Sequence, residues 1–224
     1  MGSAALTPVG VLGGSFDPVH RGHVALATHA QEQLGLSRLL LLPCAEPPHK
    51  PGRALAARYH RLEMLYLAVQ DRPGLEVSTI EIAREGVHYT IDTLRALRRG
   101  SPPIAPVFVC GSDALADILS WRDHHALLAE FDFAAVTRAR GERNTADPGW
   151  PPLVTERLQR LPSAGGTPLG GGGHVYRIAM PEIAISSSLV RGRRRQGSPI
   201  DDLVPADVAR YIQRHRLYSE EVGS

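Results

Sequence analysis

The stretch PVGVLGGSFDPVHRGHVALATHAQEQL, Pro8 to Leu34, begins as a short apolar run and stops at Gly13-Gly14. It resumes with Val24, Leu26, Ala27, Ala30 and Leu34 at helical spacing. This predicts strand, glycine turn and helix. The same alternation continues outward from it: a strand over Arg38 to Leu42 closed by Pro43, an amphipathic helix over Leu55 to Val69, and a strand over Leu75 to Ile82. A helix from Thr90, as its cap, to Arg99 follows, then a strand over Val107 to Cys110 and a helix over Ala114 to Leu119. Phe131 to Thr137 and Val175 to Met180 read as further strands. Strands that alternate with helices of this length require crossover connections, so the fold class is α/β, a doubly wound, mostly parallel sheet with helices on both faces.

Between Arg138 and His174 the pattern dissolves into Gly, Pro and Arg. Only Leu153 to Leu161 offers a short helix, and Gly165 to Gly173 (GGTPLGGGG) reads as a mobile loop, an insertion outside any site. The tail PADVARYIQRHRL from Pro205 predicts a small C-terminal helical part, with Pro205 in the first turn and Val208, Ala209, Ile212 and Leu217 docking on the rest. At 224 residues, residues 1–224 are expected to form a single domain.

A formal net charge of +2 gives no mandate for nucleic acid or an anionic membrane as partner, so any basic site must be local. Of the 25 basic residues only Lys50 is lysine, which makes it conspicuous. Cys44 and Cys110 each end an apolar run, as free thiols packed at strand ends do, in keeping with a reducing compartment. The longest apolar run, Leu39 to Leu42, is far below the ~20 residues of a membrane span, so a cytoplasmic protein is expected.

In an open parallel sheet, ligands bind at the carboxyl ends of strands, where helix N-termini expose unsatisfied N–H groups. Gly13 to His23 lies at such an end. Its glycines would admit close backbone approach or positive φ, and Pro18 would stiffen the turn. His20 and His23, spaced i, i+3, would share one face of the opening helical turn and cradle a phosphate. The same two histidines could instead be a metal pair, helix-face residues without a role, or caps. No GxGxxG follows the first strand and no Gly-Lys pair exists, which excludes the dinucleotide fingerprint and the P-loop.

Gly14-Ser-Phe-Asp-Pro-Val-His-Arg-Gly-His23 resembles the G-x-F-x-P-x-H-x-G-H signature of the nucleotidyltransferase superfamily, and Ile185-Ser-Ser-Ser-Leu-Val-Arg191 resembles its I-S-x-[ST]-x-[IV]-R motif. Read without the first motif, ISSSLVRGRRR is equally an N-capped surface helix with a basic face or a nucleic-acid patch. Three further segments are similar to those of the nicotinate-nucleotide adenylyltransferases. Cys44 to Lys50 (CAEPPHK) resembles P-x-x-x-P-P-H-K, His88 to Leu94 resembles S-Y-T-x-x-T-L, and Gly111-Ser-Asp113 with Trp121 resembles G-x-D…W.

The resemblance implies a Rossmann-like fold and transfer of an adenylyl group from ATP to nicotinate mononucleotide, releasing pyrophosphate. It implies catalytic roles for His20, His23 and Arg191, and ATP binding by Gly13, Gly14, Ser15, Phe16, His20, His23, Ser186, Ser187, Ser188 and Arg191. The nicotinate nucleotide would be held by Lys50, Tyr89, Thr90, Asp113, Trp121 and Arg122: Lys50 on phosphate, Asp113 on ribose, Trp121 stacked on the ring. Arg122 stands where many relatives carry an aromatic residue, and whether it reads the carboxylate by side chain or main chain stays open. Mg²⁺ would be bound mainly through substrate phosphates, with no dedicated protein metal site. The expected partners are small molecules, with no nucleic acid and no membrane. The oligomeric state, a homo-oligomer included, is open, as are a preference for nicotinamide mononucleotide and a non-catalytic nucleotide sensor.

Overall fold

The structure, a computed structural model, describes residues 6–45, 55–84, 86–139, 149–161 and 169–219. The strands among them are β1 (Thr7–Gly14), β2 (Leu39–Pro43), β3 (Leu75–Val77), β4 (Ile104–Gly111), β5 (Asp132–Ala139), β6 (Leu158–Gln159) and β7 (Val175–Pro181). They form one sheet in the order β3-β2-β1-β4-β5-β7-β6, and every neighbouring pair is parallel. Parallel neighbours cannot be joined by a tight turn. The crossovers run through α1 (Arg21–Leu34), α2 (Arg58–Val69), α3 (Thr90–Arg98), α4 (Ser112–Ala116), α5 (His124–Glu130) and α6 (Pro152–Thr155), and α7 (Ser187–Arg195) and α8 (Ala206–Arg214) follow the last strand.

Strand alternation divides the core into two layers. Val107 and Val109 of β4, with Ala134 and Val136 of β5, pack beneath Val24 and Ala27 of α1, Met64 and Leu65 of α2, Val190 of α7 and Ile212 of α8. Phe108 and Cys110, with Phe133 and Ala135, face the other way, onto Ile91 and Leu94 of α3, Leu115 of α4, Leu127 of α5 and Val154 of α6. Both faces of the central strands are therefore covered, and this explains why β2 is an unbroken apolar run (LLLLP) rather than an alternating one. The expected architecture is the observed one, including the docked C-terminal helix.

Several boundaries differ from the sequence-based reading. Gly13 and Gly14 belong to β1, pairing with Leu42 and Pro43, and neither has positive φ; the turn falls on Phe16, at φ +46°. The strand expected over Leu75 to Ile82 stops at Val77, and the chain then turns so that Glu81 is buried rather than alternating along an edge. The helix expected over Leu153 to Leu161 survives only as α6, because Leu158 and Gln159 gain pairing with Val175 and Tyr176 as an edge strand. Ala114 to Leu119 divides into α4 and a 3₁₀ turn, Ile118–Ser120. Thr90 is the first residue of α3, with Tyr89 at the cap position, and Pro205 takes the cap position of α8.

Of the glycine-rich stretch expected to be a mobile loop, residues 169–173 are described and follow a turn held at Gly170; residues 165–168 lie outside the described residues. Asp132, fully buried at the start of β5, accepts from the Gly170 N–H at 2.6 Å and the His174 N–H at 3.1 Å. A Cβ on Gly170 would stand 2.4 Å from the Ala105 Cβ, so only glycine lets this turn approach β4. The turn closes the amino-terminal end of the sheet. Replacing Asp132 by Ala strands these part-buried donors and should cost about 2–4 kcal/mol in urea-induced unfolding; an unchanged midpoint would show that the carboxylate does not anchor the turn.

Candidate active site

β1 pairs with β2 on one side and β4 on the other, so the crossovers leaving β1 and β4 diverge and open a crevice at their carboxyl ends. The Gly13 to His23 segment occupies that crevice. Phe16 is fully buried, its ring lying over Gly14, where a Cβ would meet it at 3.1 Å. His20 is the N-cap residue of α1 and His23 its third residue, and their rings stack with centroids 3.7 Å apart. Phe16 meets His23 edge-on, centroids 4.9 Å apart. Gly22 permits the stack, because a Cβ there would stand 3.0 Å from His20 Nδ1.

The packing sets the charge of both rings. Burial holds the His20 imidazole at a pKa of about 4. Burial, and secondarily His20 itself, push His23 well below the ordinary histidine value. Both are neutral at pH 7. The His20 backbone N–H donates to His23 Nδ1 at 3.3 Å, so the proton of neutral His23 sits on Nε2. The cradle offers this N–H as a donor without a permanent positive charge, which refines the picture of two phosphate-binding imidazoles.

A second segment is folded onto the first. Ser186 caps α7, its Oγ accepting from the Leu189 N–H at 3.1 Å. Ser187 Oγ donates to the Pro18 carbonyl at 2.9 Å across 169 residues of sequence. Arg191 donates to the Asp17 carbonyl and to Ser188 Oγ, and its guanidinium lies 3.7 Å from Asp17 Oδ2. Asp17 Oδ1 accepts from the Tyr218 hydroxyl at 2.7 Å and the Ala56 N–H at 3.1 Å. Beneath this junction Arg61 of α2, 1 % exposed, donates to the carbonyls of Ser15, Cys44, Ala45 and Ala56. One guanidinium thus ties the turn after β1 to the end of β2 and the start of α2.

A cavity of about 230 Å³ opens beside the cradle, reaching Gly13, Gly14 and Ser15. Val11, Leu42, Leu94 and Phe108 make it apolar, while Glu81, His88, Thr90 and Thr93 supply polar groups. Trp121 lines it too, perpendicular to Phe108 at 5.8 Å. Tyr89 and Arg122 meet in a cation–π contact at 4.5 Å, and Arg122 Nε lies 3.9 Å from Asp123 Oδ2.

Of the residues expected from the sequence, Gly13, Gly14, Ser15, Phe16, His20, His23, Ser186, Ser187, Ser188 and Arg191 come together at the cradle. Thr90 and Trp121 line the cavity, whereas Tyr89 and Arg122 form the pair just described. Asp113 is exposed near the start of α4 and does not line the cavity. Lys50 lies outside the described residues. Among the described residues no group of three or more His, Cys, Asp or Glu side chains is placed to hold a metal ion. The sequence reading passed over Asp17, Arg61, Glu81 and Tyr218. Arg61 left a signal: it falls on the apolar stripe of α2 with Leu65 and Ala68, where a cation demands buried acceptors. Glu81 left none, sitting in a segment that alternates like a strand.

Because the folded state binds protons to His20 and His23 more weakly than the unfolded chain, stability should fall as pH drops from about 6.5 through about 4. Melting temperatures at pH 7.5 and 5.0 should show a smaller acid loss in His23→Gln than in the unsubstituted chain. Equal losses would show that the stacked imidazoles do not carry this linkage.

The cytidylyltransferase-like family model matches residues 11–193. A probable nicotinate-nucleotide adenylyltransferase of Symbiobacterium thermophilum is 39% identical over 94% of this chain and 94% of its own length, and one of Thermus thermophilus is 38% identical over 94% and 98%. Among solved structures, the nicotinic acid mononucleotide adenylyltransferase of Plasmodium falciparum complexed with NaAD shares the fold at a TM-score of 0.73. It is 20% identical, and the match spans 97% of this chain and 100% of that one. The motifs at both ends of the crevice and this similarity along nearly the whole length agree: the chain belongs to the cytidylyltransferase-like family, among the nicotinate-nucleotide adenylyltransferases.

Proposed function

We propose that this chain, acting as a single domain in the cytoplasm, transfers the adenylyl group of ATP to nicotinate mononucleotide, giving nicotinate adenine dinucleotide and pyrophosphate. The observation that carries this reading is the junction of the two distant segments. Ser187 and Arg191 donate to the carbonyls of Pro18 and Asp17, so the N-terminus of α7 and the stacked histidines face one crevice. A triphosphate there meets helix N–H groups, imidazole donors and a guanidinium together.

A phosphate oxygen of the mononucleotide attacks the α-phosphorus of ATP in line, the new P–O bond forming as the bond to the β-phosphate breaks. The attacking phosphate is already ionised at neutral pH, so the chain supplies position and charge stabilisation rather than a base. His23 Nε2–H and His20 stabilise the α-phosphate and the departing pyrophosphate. Arg191, oriented beforehand by Asp17 and Ser188, takes the β- and γ-phosphates. Gly13, Gly14, Ser15 and Phe16 shape the backbone around the nucleotide, and Ser186 to Ser188 present the first turn of α7.

The mononucleotide ring enters the apolar cavity beside Trp121, which leaves its phosphate toward the β1 glycines. Main-chain N–H groups near Thr90 and Arg122 hold the ring carboxylate, with Tyr89 held against Arg122. Asp113, exposed in the first turn of α4 outside the cavity, orients a ribose there, and Lys50 reaches substrate phosphate. Mg²⁺ neutralises phosphate charge when bound. The donor set suits a cation carried in by the substrate: the cradle presents N–H groups and hydroxyls, and its one carboxylate among the described residues, Asp17, is taken up by Tyr218, Ala56 and Arg191.

A pyrophosphate-release assay with ATP and nicotinate mononucleotide should show turnover, and silence with every acceptor would leave a nucleotide sensor instead. His23→Ala should lower kcat by ~10²-fold or more, the cost of one transition-state donor. Gly22→Ala should also lower kcat, since the added methyl meets His20 Nδ1 at 3.0 Å. Turnover preserved in both variants would remove the imidazoles from the chemistry.

A further inference from the structure

The chain leaves α8 through a strained turn. Arg216 at φ +50° and Tyr218 at φ +60° hold the left-handed backbone conformation, which a bulky side chain adopts only where its surroundings over-determine it. Those surroundings are present. Val208, Ala209 and Ile212 bury one face of α8, the Leu217 N–H donates to the Ile212 carbonyl at 3.0 Å, and Leu217 and Tyr218 both pack against the core. Ser219 Oγ closes the turn onto the Arg216 carbonyl at 2.7 Å. The strained geometry delivers one hydroxyl to the cradle: Tyr218 donates to Asp17 Oδ1 at 2.7 Å, across 201 residues of sequence.

Asp17 is 1 % exposed, and its two oxygens are held differently. Oδ1 accepts from the Tyr218 hydroxyl and from the Ala56 N–H at 3.1 Å. Oδ2 is buried without a hydrogen bond among the described residues and faces the Arg191 guanidinium at 3.7 Å. Two donors converging on one oxygen fix the plane of the carboxylate. Its charge therefore orients Arg191 without drawing it into the two-bond pair that an unrestrained carboxylate forms with arginine. Arg191 donates to the Asp17 carbonyl and to Ser188 Oγ, and its other N–H groups stay available for phosphate.

We propose that Tyr218 is a positioning residue for adenylyl transfer, its hydroxyl holding Asp17 so that Arg191 is aimed at the triphosphate instead of being captured by the carboxylate. The inference rests on the reading of Arg191 as the group that takes the β- and γ-phosphates, and adds the residue that keeps it available. Tyr218 acts through Asp17, not on the substrate. Without the hydroxyl, Oδ1 keeps only the Ala56 N–H, and the carboxylate can turn both oxygens onto Arg191. The triphosphate must then compete with that pair. AMP and nicotinate mononucleotide carry no β- or γ-phosphate, so they report on the rest of the site alone.

Tyr218→Phe removes the hydroxyl and keeps the ring with its packing. Affinities for ATP, AMP and nicotinate mononucleotide are measured by titration calorimetry, and kcat/KM for ATP by pyrophosphate release, in this variant, in Arg191→Ala and in the double variant. Tyr218→Phe should weaken ATP binding and lower kcat/KM for ATP by about 10-fold, the coupling expected within one hydrogen-bond and ion-pair network, with AMP and mononucleotide affinities unchanged. In the Arg191→Ala background the same substitution should change neither quantity further. Unchanged ATP affinity in Tyr218→Phe would overturn the role. Equal losses for ATP and AMP would make Tyr218 a packing residue, and an undiminished loss in the absence of Arg191 would show that it acts elsewhere; each also overturns the role. If the unsubstituted chain binds ATP but releases no pyrophosphate with nicotinate mononucleotide, the proposed reaction falls while the calorimetric comparison still decides the role of Tyr218. A chain that binds no ATP overturns both.

Discussion

Two hydrogen bonds from α7, Ser187 onto the Pro18 carbonyl and Arg191 onto the Asp17 carbonyl, make one site out of segments that β2 to β7 separate in sequence. They reach backbone acceptors, so they depend on the path of the turn and not on its side chains. The turn in turn depends on Arg61, whose guanidinium gathers the carbonyls of Ser15, Cys44, Ala45 and Ala56. Without that donor, four carbonyl acceptors near the cradle would lose a partner, and a cation with fixed geometry would leave the floor of the crevice. The sheet makes this possible: β1, central and covered on both faces, delivers its last residues to the point where neighbouring crossovers part.

The electrostatics of the crevice follow from the same packing. Stacking and burial keep His20 and His23 neutral, so the permanent positive charge comes from Arg191 and Arg61 together with the N-terminal ends of α1 and α7. A polyanion in the crevice would raise the proton affinity of both imidazoles above these values. The Asp17 carboxylate holds Arg191 on one side and Tyr218 on the other, which links the proposed phosphate site to the chain beyond α8. The C-terminal segment is therefore part of the site's frame as well as a cover for the core.

Much of this was legible in the sequence. The apolar runs ending at Gly14, Pro43 and Gly111 lie on strands buried on both faces, where continuous hydrophobicity is the only pattern available. His20 and His23 could be paired from spacing alone, because three residues on an opening helix bring two side chains together. A cap could be placed within Ser186 to Ser188 because a serine side chain competes locally for a backbone N–H, and the structure assigns it to Ser186. Other elements were misread for identifiable reasons. Residues 78–82 alternate like a strand, but the ladder with β2 ends at Val77 opposite Leu41, and the chain turns away there to bury Glu81. Leu158 has helical spacing from Val154, yet an edge position beside β7 offered it ladder bonds that a short helix could not match. Gly165 to Gly173 has the composition of a linker, and the buried Asp132 carboxylate anchors its described part.

The sequence by itself determined the α/β class, the strand–helix alternation, the two motifs of the crevice and the serine cap of α7. These follow from side-chain spacing along a chain whose local geometry has only two common periods, and spacing is written in the order of residues. Tertiary structure decided which distant groups meet and what charge they carry: Arg61 under the cradle, Asp17 between Arg191 and Tyr218, Glu81 beside His88, and two histidines made neutral by burial. Those properties depend on desolvation and on contacts across the sheet, which exist only once β1 lies between β2 and β4.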